Sequence, residues 1–83
     1  MSSIEAYIMM NIKSGAEDEV CQVLAEKPMV EEVAVIYGEY DAIAKVQAED
    51  LAGLDKFLTD KLRSLSDIFL TTTMIVAKEY KNE

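Results

Sequence analysis

Histidine and tryptophan are absent from this sequence, and cysteine occurs once, as Cys21. The lack of histidine removes the commonest general base and the commonest transition-metal ligand. It also removes the Ser–His and Cys–His pairs of nucleophilic catalysis. A lone cysteine can form neither an intramolecular disulfide nor a Cys-x-x-Cys metal site. The sequence therefore predicts no catalytic residue, no metal and no cofactor, although catalysis by carboxylates alone remains open.

Basic residues are also scarce, because 8 Lys and Arg face 16 Asp and Glu, for a formal net charge of -8. Phosphate recognition depends on clustered basic side chains, so we expect no direct nucleic-acid partner. Anionic membrane surfaces are disfavoured for the same reason. The apolar stretch at residues 6–10 is far shorter than the ~20 residues of a membrane-spanning helix. With no signal-peptide pattern at the N-terminus, we expect a cytoplasmic protein.

The chain is short but rich in apolar residues. We expect its 83 residues to form a single domain, residues 1–83, without a DNA-binding domain. A domain of this size buries only about 60% of its unfolded surface, so its core is thin. Hydrophobic residues nevertheless make up 51% of the sequence. Self-association is the simplest use of this surplus.

Hydrophobic periodicity predicts a β-α-β-β-α-β order of elements. The predicted strands cover residues 4–13, 30–37, 40–48 and 70–78. A capping box at Ser14 and Glu17 begins the first helix, which ends at Pro28. Asp50 begins the second helix, whose leucines face the core while Asp55 and Arg63 face solvent. Right-handed crossovers then give a ferredoxin-like α+β fold, with one four-stranded antiparallel sheet and two helices on one face.

The other face of this sheet needs a cover. Tyr7 and Met9 point away from the predicted core, and both are large. The last strand has two substantial faces, and the pattern alone does not decide between them. Exposed apolar patches of this size are unusual on monomers. We therefore expect a twofold dimer whose interface includes Tyr7, Met9, Met74 and Val76.

A candidate binding site lies between the second and third strands, where Tyr37, Gly38, Tyr40 and Asp41 cluster in the sequence YGEYD. These residues are typical of an ordinary turn, in which Gly38 makes the bend and Asp41 bonds the loop backbone. Alternatively, Gly38 lets a ligand carboxylate reach backbone N–H groups while Asp41 pairs with an ammonium.

Two threonines of the last strand form the other candidate half of the site. Thr71 and Thr73 are two residues apart, so their hydroxyls share one face of the strand. The high β-propensity of threonine explains the same pattern without any ligand.

Three segments of the chain resemble the ligand-binding (RAM) domain of the Lrp/AsnC family of transcription regulators. They are AYIMMNIKSGAEDEV, VEEVAVIYGEYDAIAKVQAEDL and LTTTMIVAK, in that order along almost the whole chain. Two positions depart from the family pattern, because Met29 and Asp67 stand where members often have glycine. Full-length members carry a helix-turn-helix domain before this one, so the chain resembles the stand-alone form of the domain.

The resemblance implies dimers with packed sheets, which assemble further into rings such as octamers or decamers. It also implies small amino-acid effectors in clefts between neighbouring dimers. By motif position, the effector contacts are at Tyr37, Gly38, Tyr40 and Asp41 in the hairpin and at Thr71 and Thr73 in the last strand.

We therefore expect a non-enzymatic module that binds an amino acid, forms oligomers and modulates Lrp/AsnC-type regulation, in contact with full-length regulators. The sequence leaves two alternatives open. One is a small dimeric α+β-barrel enzyme, similar to monooxygenases or isomerases, and the other is a purely structural oligomer.

Overall fold

The computed structural model describes residues 3–82, so the first two residues and the last residue of the predicted domain 1–83 lie outside the described residues. The chain forms β1 (Ile4–Ile12), α1 (Glu17–Ala25), β2 (Val30–Val35), β3 (Ala42–Ala48), α2 (Leu51–Lys56), a π-helical segment (Phe57–Leu62) and β4 (Ile68–Ile75). The strands form one sheet in the order β2-β3-β1-β4, and all three pairings are antiparallel. The predicted ferredoxin-like fold is confirmed.

The core lies between the sheet and the two helices. Strict alternation along β1 buries Ala6, Ile8, Met10 and Ile12, which are at most 4% exposed. The helices contribute a larger set of buried apolar residues, which consists of Val20, Leu24, Leu54, Phe57 and Leu62. Full burial of one such large side chain contributes roughly 1.5–3 kcal/mol. The period of two in β1 therefore fixes which face of the sheet the helices cover.

The sequence predicts the start of α2 correctly but not that of α1. Asp50 caps α2 as predicted, because its carboxylate accepts a hydrogen bond from the Gly53 N–H at 2.8 Å. The capping box at Ser14 is wrong: Ala16 is the N-cap residue of α1, with no side-chain cap. A turn at Gly15, whose φ is +93°, separates Ser14 from the helix. The Glu17 carboxylate instead accepts from the Gly15 N–H at 2.9 Å.

The second helix is not a regular α-helix throughout. Its last part, Phe57–Leu62, is π-helical, and residues Phe57 and Leu62 are both buried. A π-helix bonds residues five apart, which is the separation of these two side chains. Leu58 is only partly buried, and Leu51 is 58% exposed. The predicted leucine stripe is therefore wrong at Leu51, whereas Leu54, Leu58, Leu62 and Leu65 face the core as predicted, with Phe57 beside them.

The connection between β2 and β3 is longer than predicted. Both strands stop short of the tight turn expected at Gly38, and the loop covers residues 36–41. The Ile36 N–H donates to the Asp41 carbonyl at 2.9 Å and closes the loop. The Asp41 N–H donates to the Met10 carbonyl at 2.8 Å. The backbone of Asp41 is thus held by β1 as well as by the hairpin.

Candidate functional site

Among residues 3–82, both helices lie on one face of the sheet and the other face carries none. This open face comprises Tyr7, Met9, Ile43, Lys45, Thr72 and Met74, the residues whose side chains alternate with the core positions. Tyr7 lies opposite Met74 in the β1–β4 pairing, and Met9 lies opposite Ile43 in the β1–β3 pairing. Met74 is 46% exposed. The structure therefore brings the predicted interface residues Tyr7, Met9 and Met74 together on one uncovered surface.

Val76, the fourth predicted interface residue, lies just after β4. Its N–H donates to the Glu5 carbonyl at 2.8 Å and so extends the β1–β4 ladder by one bond. Strand alternation places Val76 on the same side as Met74. The sequence pattern left open which face of the last strand lies away from the core. In the structure it is the face with Thr72 and Met74.

A charged network occupies one end of the open face. The Lys45 ammonium lies 3.3 Å from the Glu5 carboxylate and 3.0 Å from that of Glu79. The hydrogen bond with Lys45 lowers the pKa of Glu79, and the two acids raise the pKa of Lys45. Lys45 is on β3 and Glu79 follows β4, so this ion pair spans the intervening strand β1. The network therefore ties the C-terminal segment to the Tyr7 end of the face.

The hairpin tip holds the first group of predicted effector residues. Tyr37 is fully exposed, and Gly38 has a φ of +146° with open space around its Cα. One carboxylate oxygen of Asp41 accepts from the Ile12 N–H at 2.8 Å. The side-chain amide of Asn11 donates to the Glu39 carbonyl at 3.0 Å. Asp41 therefore holds the hairpin to β1, whereas the first predicted alternative had its side chain bond the loop backbone.

Tyr40 extends from the same hairpin over the open face. Its hydroxyl lies 3.2 Å from the Thr72 hydroxyl of β4, across the intervening strand β1. Thr72 was not among the predicted site residues. Strand alternation places Thr72 on the opposite face of β4 from Thr71 and Thr73. The sequence alone does not show which of these faces Tyr40 reaches, because that depends on the strand register.

Thr71 and Thr73 lie on the helix side of β4. Thr71 is paired with Met10 and Thr73 with Ile8, both of which are core residues. Each threonine lines a cleft between β4 and the second helix. The Thr71 cleft has a volume of about 440 Å³ and the Thr73 cleft about 540 Å³. Asp55 and Leu58 line both clefts, which therefore adjoin.

The two predicted halves of the effector site do not meet within one copy of the chain. Tyr40 is on the open face, whereas Thr71 and Thr73 are on the helix face, and β1 separates the hairpin from β4. Within residues 3–82, the hydrogen bond between the hairpin and β4 goes to Thr72.

The described part of the chain gives little support for a reactive cysteine, a metal site or a membrane-spanning helix. Burial raises the pKa of the Cys21 thiol, and the nearby acids Asp18 and Glu17 raise it further, so Cys21 is a poor nucleophile. Among residues 3–82, no group of three histidine, cysteine or acidic side chains is arranged to hold a metal. No helix in this span is long and apolar enough to cross a bilayer.

Known proteins share both the sequence pattern and this fold. Residues 5–83 match the model of the Lrp/AsnC ligand binding domain. The HTH-type transcriptional regulator FL11 of Pyrococcus horikoshii is 35% identical over 79 residues, which are 95% of this chain and 52% of FL11. The chain thus spans about half the length of the curated relatives it matches first.

Two solved structures illustrate the likeness. The hypothetical protein PHS023 from Pyrococcus horikoshii has a TM-score of 0.87 at 43% identity, with 93% of each chain covered. The regulator NMB0573 from Neisseria meningitidis, in complex with L-Met, has a TM-score of 0.87 at 22% identity, over 95% of this chain and 53% of that one. The second likeness concerns the fold alone. With the family match over residues 5–83, these findings place the chain in the Lrp/AsnC family of transcription regulators, as a ligand-binding domain.

Proposed function

We propose that this chain is an effector-binding and self-association module of Lrp/AsnC-type regulation, that its effector is an amino acid, and that it acts by binding rather than by catalysis. The curated relatives that it matches first are named as transcriptional regulators. The observation that carries the proposal is the apolar open face of the sheet.

Self-association follows from the composition of that face. Its apolar part consists of Tyr7, Met9 and Ile43, which are half-buried, and Met74, which is 46% exposed. Two such faces stacked about 10 Å apart would bury these residues in one continuous layer. The Lys45 network lies at the end of the face, where a polar rim is ordinary in protein interfaces. A second copy of the chain is therefore the partner that this surface fits.

The effector site is proposed to be shared between copies. The hairpin tip with Tyr37, Gly38 and Asp41 projects from one end of the sheet, and the clefts with Thr71 and Thr73 lie on the other side of β1. An effector between neighbouring dimers would touch the hairpin of one copy and the clefts of another. The complex of NMB0573 with L-Met supports an amino acid as the ligand that this fold accepts.

Sedimentation velocity tests the self-association directly. Met9→Lys puts a charge into the middle of the open face, and Gln22→Lys makes the same change of charge on the exposed side of α1. We expect the wild type and Gln22→Lys to sediment as dimers or larger rings, and Met9→Lys to sediment as a monomer. A monomeric wild type, or a Met9→Lys variant that assembles like the wild type, would contradict the proposal.

Thermal unfolding with a panel of amino acids tests the sensing function. A ligand that binds only the folded protein raises its stability by mass action. We expect at least one amino acid, at millimolar concentration, to raise the midpoint of unfolding. If none does, the sensing function fails, and the dimer alone would fit a purely structural oligomer. Native mass spectrometry then gives the ring size and tests association with full-length regulators of the family.

A further inference from the structure

A pair of hydroxyl groups lies within the apolar open face. The Tyr40 hydroxyl is 3.2 Å from the Thr72 hydroxyl, and both side chains are half-buried. On β4, strand alternation places Leu70 and Met74 on the same face as Thr72, one on each side of it. These two side chains are 57% and 46% exposed. The hydroxyl pair is therefore bordered by large apolar side chains that are open to solvent.

The backbone on both sides of Tyr40 is fixed to β1. The Glu39 carbonyl accepts from the side-chain amide of Asn11 at 3.0 Å, and the Asp41 carboxylate accepts from the Ile12 N–H at 2.8 Å. Because β1 lies between β3 and β4, the Tyr40 side chain has to span β1 in order to contact β4. The ring of Tyr40 is thus part of the open face, although its backbone belongs to the loop at residues 36–41.

A cover over the open face would change the energetic role of the two hydroxyls. In a single copy of the chain, water reaches this half-buried pair and can replace a lost partner. Under a second copy, water is excluded, and one hydroxyl left without a partner would weaken association by roughly 5- to 150-fold. Removal of both hydroxyls with the shape kept is nearly neutral, since no polar group is then left unpaired. The contact between Tyr40 and Thr72 therefore lets the face be covered without an unpaired hydroxyl.

We propose that Tyr40 contacts a second copy of the chain across the open face, and that Thr72 is a positioning residue that holds the Tyr40 ring for this contact. The inference rests on the proposed self-association. It goes beyond that proposal because it gives Tyr40 a role other than the effector contact that the family resemblance implies. The loop then serves two surfaces, with Tyr37 fully exposed at its tip and Tyr40 lying on the sheet.

Sedimentation equilibrium of the full chain over a range of concentrations tests the assignment. The variants are Tyr40→Phe, which keeps the ring, Thr72→Val, which keeps the shape, and the double variant. Tyr80→Phe and Ser64→Ala are the matched controls, because each removes a hydroxyl from an exposed side chain away from the Tyr40 contact. Tyr80 is 82% exposed after β4, and the Ser64 hydroxyl donates to the Lys61 carbonyl at 2.7 Å.

We expect each single variant, Tyr40→Phe and Thr72→Val, to raise the dissociation constant of self-association by roughly 5- to 150-fold. The double variant should return to within about threefold of the wild type, because two contacting residues act non-additively. The two controls should associate like the wild type. A role confined to the stability of the hairpin would lower the unfolding midpoint of the double variant at least as much as that of either single variant, and it would not restore association.

The outcomes separate this inference from the proposed function. If the wild type self-associates and both single variants associate equally well or more tightly, the inference is wrong and the self-association stands. A double variant whose loss equals the combined losses of Tyr40→Phe and Thr72→Val would also overturn the inference, because the two hydroxyls would then act independently. If the wild type is a monomer at all concentrations, the proposed self-association fails, and this inference fails with it.

Discussion

Replacement of Asp41 by alanine is expected to destabilise the protein even when no effector is present. The Asp41 carboxylate accepts from the Ile12 N–H at 2.8 Å, and Ile12 is only 4% exposed. The variant would leave this buried N–H without an acceptor. Hydrogen bonds to charged groups contribute about 1.5–3 kcal/mol, and an unsatisfied buried donor costs a similar amount. We therefore expect a loss of about 2 kcal/mol from the free energy of unfolding.

For a domain of this size, 1 kcal/mol shifts the midpoint of thermal unfolding by roughly 4–8 °C. Asp41→Ala should thus unfold about 10 °C below the wild type when followed by circular dichroism without ligand. Asp41→Asn keeps an oxygen acceptor and should recover most of the loss. The control Glu39→Ala changes an exposed neighbour, and such substitutions usually stay within about 0.5 kcal/mol.

A midpoint for Asp41→Ala within about 2 °C of the wild type would refute the reasoning, since the bond to Ile12 would then contribute almost nothing. The result also decides how binding data are interpreted. Loss of effector binding in Asp41→Ala alone would not distinguish a lost contact from a displaced hairpin. Loss in the stable variant Asp41→Asn would indicate a direct contact with the effector.

Three further outcomes are expected. Gly38→Ala should lower the free energy of unfolding by about 1–2 kcal/mol in urea, because its φ of +146° is strained for alanine although the space around it is open; an unchanged midpoint would contradict this. The lowered pKa of Glu79 means that its ionised form stabilises the fold above its ordinary pKa of 4.5 and that this contribution is lost as the pH falls. The stability difference between wild type and Glu79→Gln should therefore disappear in acid, and a difference that grows there would be inconsistent. Because the pKa of Cys21 is raised, iodoacetamide should alkylate it more slowly than free cysteine at pH 8.5, and an equal rate would speak against its burial.

The parts of the fold that local periodicity determines are predictable from the sequence. Alternation along β1 identifies its core face, and the position of Asp50 identifies the start of α2. The ends of the hairpin are not predictable in this way. Tyr37 and Tyr40 have high β-propensity, but the bonds from Asp41 to Met10 and Ile12 keep this stretch out of the strands. Those bonds join residues about thirty positions apart, so no local pattern contains them.

The candidate site is likewise only partly predictable, because its geometry depends on contacts between residues far apart in the sequence. The spacing of Thr71 and Thr73 indicates a shared face but not which face, since that depends on the register with β1. Asp55 and Arg63 look like ordinary solvent-facing charges of an amphipathic helix. Both are exposed as that pattern predicts, and they also line the Thr71 cleft, where β4 runs beside the π-helical segment. The Phe57 and Leu62 spacing fits such a segment only in retrospect, because leucines at helical spacing fit an α-helix equally well.

The separation of the two predicted half-sites has a consequence for regulation. If one copy supplies the hairpin tip and another supplies the clefts with Thr71 and Thr73, effector binding requires assembly, and by linkage the effector stabilises the assembly. The rise in unfolding midpoint that an effector causes should then depend on protein concentration over a roughly hundredfold range. It should also shrink in Met9→Lys, whose clefts are intact but whose open face is disrupted. A rise that is the same at all concentrations and in Met9→Lys would mean that one copy holds the complete site.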